Sequence, residues 1–275
     1  MNCDFAWMIP IPSIRMSDLT ITFLGTGTSQ GVPMIGCDCT VCSSTDLRNK
    51  RTRSSIYVQS AECAFVVDTG PDFRAQCLRE RVRALDAVVY THSHTDHIMG
   101  FDDLRAFCPP DGGTLPIYAG EETMRDLERV FNFAFNGLNR FPGYVRPDPR
   151  IVDAPFQLGE IELTPLPVPH GRAKVFGYLF TRAGERLAAY LSDCKMVPEP
   201  VIEKIAGVRH LIVDALRHKL HPTHMNVTEA LEVIAKVGPK QAWFTHLCHD
   251  LDHEETEAAL PEGIRIAFDG MKIVV

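Results

Sequence analysis

Three histidines and a carboxylate fall within six positions in His92-Ser93-His94-Thr95-Asp96-His97, directly after the apolar run Asp86–Thr91. Imidazole nitrogens and a carboxylate oxygen suit borderline divalent metals such as Zn²⁺ or Mn²⁺. His92 and His94 are two apart, so an extended segment aims both at one metal. Asp96 and His97 follow where the chain turns toward a helix, and can face a second metal nearby. The blander alternative is a surface loop that happens to be histidine-rich; four ligand-type residues in six argue against it.

Two further groups carry chemistry. Cys37-Asp38-Cys39-Thr40-Val41-Cys42 follows a glycine-rich segment, Gly25–Gly31, and thiolates at this spacing can wrap one tetrahedral Zn²⁺ that needs a fourth ligand. His249 is the preferred fourth ligand, with Cys248 as its rival. His224 stands just before an amphipathic helix beginning near Asn226, and can reach over a helix N-terminus where backbone amides favour phosphate. His221 is the rival for that position, and the alternative for both is solvation of a polar loop.

Short β-branched runs must hold these groups. Leu19–Leu24 alternates and reads as a strand; Ser55–Gln59 and Cys63–Asp68 read as a hairpin, followed by a helix near Asp72–Arg83. Asp86–Thr91 is a buried strand, Pro116–Tyr118 a short one, and Glu121–Phe135 has helical spacing. Asn136–Arg150, rich in Gly, Pro and Asn, reads as a long loop. The second half repeats the pattern, with strands at 160–168, 175–181, 186–191, 209–214, 242–245, 264–268 and 271–274. Its helices are expected at 198–205, 226–236 and 254–260. Strands followed by helices in two similar halves predict two sheets packed between helical layers, in one domain over residues 17–275.

Composition sets limits. The chain has 275 residues, 45% apolar and 23% charged, with a net charge of −7. Such an acidic chain is a poor partner for extended nucleic acid, though bound metals can still attract a small phosphate ester. No apolar run of about 18 residues exists, which argues against a membrane span. Nine cysteines, three of them crowded, indicate a reducing, cytoplasmic compartment and a metal site rather than disulfides. Residues 1–16 read as an N-terminal extension, with Met16 a candidate start.

His92-x-His94-x-Asp96-His97 after an apolar strand resembles the signature of the metallo-β-lactamase superfamily, as does Asp68-Thr69-Gly70 after another strand. The resemblance implies an α/β (α+β) fold, a four-layer αββα sandwich with two divalent metals, Mn²⁺ or Zn²⁺, at one sheet edge. It implies that His92, His94 and His170 hold one metal, that Asp96, His97 and His246 hold the other, and that Asp193 bridges them. Asp68 would orient ligands without touching metal. The CxCxxC segment narrows the resemblance to the PhnP-type phosphodiesterases, in which Cys37, Cys39, Cys42 and His249 would hold a structural zinc.

The resulting expectation is a phosphodiesterase for a small or cyclic substrate, with a hydroxide shared by two metals as nucleophile. Asp96 then counts as catalytic as well as a ligand, and His224, paired with Asp214, contacts phosphate and protonates the leaving group. Alternatives are a tRNase Z-like nuclease, a thioester or lactam hydrolase, and a non-hydrolytic carrier resembling PqqB. The full set of active-site ligands favours an enzyme. Phe101, Pro142 and Tyr144 are candidates for a pocket wall or a homodimer contact, with core packing the preferred reading.

Overall fold

The computed structural model describes residues 19–109, 112–138 and 143–275, so the N-terminal extension and Pro142 lie outside the described residues. The alternation in Leu19-Thr20-Ile21-Thr22-Phe23 sends Leu19, Ile21 and Phe23 to one face, where each is fully buried. This is β1 (Thr20–Gly25). With β2 (Ser55–Gln59), β3 (Ala64–Val67), β4 (Ala87–Val89), β5 (Leu115–Ala119), β6 (Pro147–Ile151) and β14 (Lys272–Val274) it forms a seven-stranded sheet, ordered β14-β1-β2-β3-β4-β5-β6. The second sheet also has seven strands: β7 (Phe156–Leu158), β8 (Ile161–His170), β9 (Ala173–Arg182), β10 (Glu185–Leu191), β11 (His210–Asp214), β12 (Gln241–Thr245) and β13 (Ile264–Ile266). Its order is β13-β12-β11-β10-β9-β8-β7.

Three apolar layers hold these sheets. Between them, Phe65 of one meets Phe180 of the other edge-on at 5.9 Å between ring centroids. Burying each such ring contributes roughly 1.5–3 kcal/mol. On the outer face of the first sheet lie α2 (Phe73–Glu80) and α4 (Glu121–Val130). On the outer face of the second lie α6 (Glu199–Ile205) and α7 (Val227–Val237). This is the expected αββα sandwich. Shorter helices fill the connections: α1 (Thr40–Ser43), α3 (Thr95–Ile98), α5 (Asn132–Phe135) and α8 (His253–Ala259). Among the described residues no helix is long and apolar enough to cross a membrane.

Strand direction decides where chemistry can occur. β3, β4, β5 and β6 are mutually parallel, as are β10, β11, β12 and β13. β8 is antiparallel to β9, and β9 to β10, so β8 runs with β10. The segments at the carboxyl ends of β3, β4, β8, β10, β11 and β12 therefore share one edge, the usual place for a ligand crevice in such sheets.

Two expectations need correction, and one strand had not been anticipated. The loop expected over Asn136–Arg150 ends in a strand, β6, despite Pro147 and Pro149. β6 is the sheet's edge, where a residue without an N–H breaks no interior ladder. The three-residue β7 was too short to leave a periodic signal. The helix expected over Glu121–Phe135 is broken at Phe131, whose φ of −108° and ψ of 37° separate α4 from α5. Phe101 is core: it is fully buried and stacks on Phe131 at 4.5 Å. Tyr144 remains 38% exposed.

Two glycines permit a close crossing beside the site. A Cβ on Gly70 would strike the Asp96 carbonyl, and one on Gly100 would lie 2.7 Å from Phe73 Cβ. Gly70→Ala should therefore cost about 1–3 kcal/mol through overpacking. Calorimetry should show a lowered Tm; an unchanged Tm would mean that this crossing is not tight.

Candidate active site

His92 follows β4 after Tyr90 and Thr91, and His94 caps α3, whose single turn carries Asp96 and His97. The local fold comes from Asp68 just past β3. Its carboxylate accepts from the Thr91 N–H and hydroxyl, each at 2.8 Å, and lies 2.8 Å from His97 Nδ1. Thr91 Oγ1 donates to Asp68 and so accepts from His92 Nδ1 at 2.9 Å. His170 Nδ1 donates to the Thr223 carbonyl at 2.9 Å. In all three rings Nδ1 is engaged by an oxygen, so Nε2 faces the site. In His92 and His170 it is a lone-pair donor, and such outer partners commonly fix metal-binding histidines.

The donor atoms converge. Those of His92, His94 and His170 lie within 4.8 Å of one another, as do those of Asp96, His97, Asp193 and His246. Asp193 stands between the groups. Its Oδ1 is 3.3 Å from His97 Nε2 and 3.2 Å from His246 Nδ1, while its Oδ2 faces His170 Nε2 at 3.9 Å. Two donors about 2.0–2.1 Å from one tetrahedral ion are separated by about 3.3 Å. His92 Nε2, His97 Nε2 and Asp193 Oδ1 are buried yet have no hydrogen-bond partner. Buried polar atoms rarely stay unpaired, and these aim into one space. The residues present fit divalent ions.

Electrostatics agree. Burial holds His92 well below its ordinary pKa and His246 at about 3, so both are neutral donors. Burial opposes the charge on Asp193, but His246 and His97 outweigh it and keep the carboxylate ionised. Burial would also lower His97; instead Asp193, Asp68 and Asp96 raise it well above its usual value. That proton marks where the cluster demands positive charge. Backbone strain is stored here too, because Asp68 and His246 adopt left-handed φ of 65° and 59°. Such conformations cost roughly 1–3 kcal/mol each and cluster at functional sites.

His224 lies beside this cluster, its ring 4.5 Å from that of His170 and 4.7 Å from that of His246. Its Nδ1 bonds the fully buried Asp214 at 2.7 Å. Burial pushes Asp214 up to about 7; burial alone would lower His224, but Asp214 outweighs it and raises the imidazole. The helix beyond is set by a capping box, Asn226 and Glu229 each accepting the other's backbone N–H. His221 has no carboxylate; its Nδ1 accepts from the Thr223 N–H at 3.3 Å.

The cysteine segment reaches the same edge. His249 Nδ1 is 3.2, 3.5 and 3.6 Å from the sulfurs of Cys37, Cys39 and Cys42. A tetrahedral zinc with Zn–S about 2.3 Å and Zn–N about 2.0 Å separates N from S by about 3.5 Å. Cys248 is outside the cluster, its sulfur accepting from the Asp250 N–H. The buried Arg51 ties this segment down, donating to the Cys248, Leu251 and Asn49 oxygens.

Sequence reasoning missed several supporting groups. Thr91 and Thr223 adjoin the histidines they orient or precede, and could have been suspected for that reason. Asp126 accepts from Ser93 at 2.6 Å and braces the histidine loop from α4, with no sequence signal. Arg51 was invisible for the same reason.

A model of the β-lactamase superfamily domain matches residues 64–247. A crystal structure described as a new diphosphatase from the PhnP family is 42% identical, with a TM-score of 0.86, covering 94% of this chain and 97% of that one. The chain belongs to the PhnP family of the β-lactamase superfamily. An octanoyltransferase of Porphyromonas gingivalis is 35% identical over 262 residues, covering 92% of this chain; the chain spans only 51% of that protein. Zn²⁺-bound PqqB of Methylobacterium extorquens shares the fold, with a TM-score of 0.76 at 20% identity, covering 92% of this chain and 99% of that one. Fold, family and donor cluster make this chain a metal-dependent hydrolase that binds divalent metal.

Two outcomes follow from the ligand geometry. Asp68→Asn, which weakens the anchor of His97 and Thr91, should lower active-site metal affinity about 10–100-fold in chelator competition. Unchanged affinity would remove Asp68 from the ligand scaffold. His249→Ala should lose one equivalent of zinc by elemental analysis, with a lowered Tm and the other metals retained.

Proposed function

We propose that this hydrolase cleaves a small phosphodiester at a two-metal centre formed by His92, His94, His170, Asp96, His97, Asp193 and His246. Cys37, Cys39, Cys42 and His249 would hold a separate structural zinc. The observation that carries the reading is the His224–Asp214 pair, bonded at 2.7 Å beside the donor cluster. Divalent ions there would lower the pKa of a water from ~15.7 to about 7 and offset phosphoryl charge.

The chain's own residues supply the rest. Asp193 faces both donor groups and keeps them in register. Asp214 holds the His224 proton on Nδ1 and aims the other ring nitrogen outward. When His224 carries both protons, that nitrogen can protonate a departing alkoxide, a contribution of about 10²–10⁴ in rate. Beyond His224 lies a cavity of about 200 Å³, with Arg217 and His221 in its walls. Its size suits a small leaving group rather than a polymer. The three clustered thiols need a reducing compartment to bind metal, which supports a cytoplasmic location.

A phosphoanhydride substrate is the second reading, favoured by the 42% identical diphosphatase. The two differ in the leaving group: an alkoxide needs a proton, whereas a phosphate does not. Bis(p-nitrophenyl) phosphate should be hydrolysed with Mn²⁺ or Zn²⁺ and not with chelator, while nitrocefin and a thioester are spared. His224→Asn should cost about 10²–10⁴ in kcat on an alkyl-leaving diester, far less on the aryl diester, with metal content unchanged. A fully metallated protein that cleaves the thioester but no phosphodiester would overturn the proposal. Cleavage of a diphosphate that survives His224→Asn would select the second reading.

A further inference from the structure

We propose that the cavity between α2 and the 3₁₀ segment Phe101–Phe107, on the outer face of the first sheet, is a second binding site for a small amphipathic anion. The cavity measures about 420 Å³, within the range of about 300–1,000 Å³ typical of small-molecule sites. No residue of the metal cluster lines it.

Its interior is apolar. Phe73, Cys77 and Val82 are buried in the surrounding core cluster, and Phe107 packs on Phe73 with ring centroids 6.1 Å apart. The Cys77 thiol is pushed up to about 12 by burial, so it is a neutral wall and not a nucleophile. At the mouth Leu78 keeps 61% of its surface in solvent. A cavity with apolar walls and an exposed leucine at its opening favours an apolar body.

The rim supplies the charge. Arg74, Arg81, Arg83 and Arg105 line the same cavity with one carboxylate, Asp103. Arg105 is paired with Asp102. Among the described residues the other three guanidinium groups have no ion-pair partner. Three unpaired cations against one acid, in a chain of net charge −7, concentrate positive potential at the mouth of an apolar space. Guanidinium groups match carboxylate and phosphate oxygens alike. The two halves together specify an anionic head on an apolar tail.

Calorimetric titration of the metal-loaded full chain tests this, with the metal cluster first saturated with inorganic phosphate. Octyl phosphate and octanoate are the probes, and octanol is the uncharged control. Both anions should bind at least tenfold more tightly than octanol, and their relative affinities tell phosphate from carboxylate recognition. Arg81→Glu combined with Arg83→Glu should weaken both at least tenfold while leaving octanol and bis(p-nitrophenyl) phosphate turnover unchanged. Ala106→Trp should fill the cavity and abolish binding; if it does not fold, the charge-reversed variant decides alone. Binding no tighter than octanol, or insensitive to charge reversal, overturns the proposal.

Discussion

Asp68, Asp96, Asp193 and Asp214 are all buried within one edge of the sandwich. Four carboxylates in a small, dry volume cannot all stay ionised without compensating charge, since burying an unpaired charge costs several kcal/mol. The chain compensates each one differently. Asp68 is met by Thr91 and His97, Asp214 by the Cys194 N–H and His224, and Asp96 and Asp193 by His97 and His246. Around Asp96 and Asp193 the buried His92 Nε2, His97 Nε2 and Asp193 Oδ1 have no hydrogen-bond partner. A divalent cation is the natural remedy, so the demand for metal is built into the folded chain.

That demand explains the arrangement around it. Ligands must stay put when like charges repel. His92, His170, Asp193 and His246 are mounted at or just past the ends of packed strands. His94 caps, and Asp96 and His97 lie on, the single turn of α3 that follows β4. Irregular backbone is confined to the ends, where Asp68 and His246 take left-handed conformations. Rigid sheets carry the strain, and the sandwich interior supplies the apolar burial that offsets it.

The cysteine segment is part of the same construction. Gly27 bridges both Arg53 and Leu247, and the Leu247 N–H donates to Thr26, so the N-terminal loop is stitched beside His246. Arg51 reinforces the join from within by holding the Cys248 and Leu251 carbonyls. A metal across Cys37, Cys39, Cys42 and His249 would lock a connection that the backbone already makes. This ties residues near one end of the chain to residues near the other, across the mouth of the site.

The sequence alone was enough to gather the donor groups of His92–His97, because residues close in sequence are necessarily close in space. It was also enough for the buried strands, where β-branched runs leave a periodic mark, and for the helix after His224, whose capping residues are local. It could not reveal β6, β7 or the break at Phe131, which depend on edge pairing and packing. Nor could it show that Asp193 turns one oxygen toward each donor group. The pairing of His224 with Asp214 was expected from the family resemblance, and the fold brings the two to 2.7 Å. Arg51, Asp126 and the arginine-rimmed cavity were equally hidden. Each depends on juxtaposing residues tens to hundreds of positions apart, and only the packing of two sheets decides which of those side chains meet.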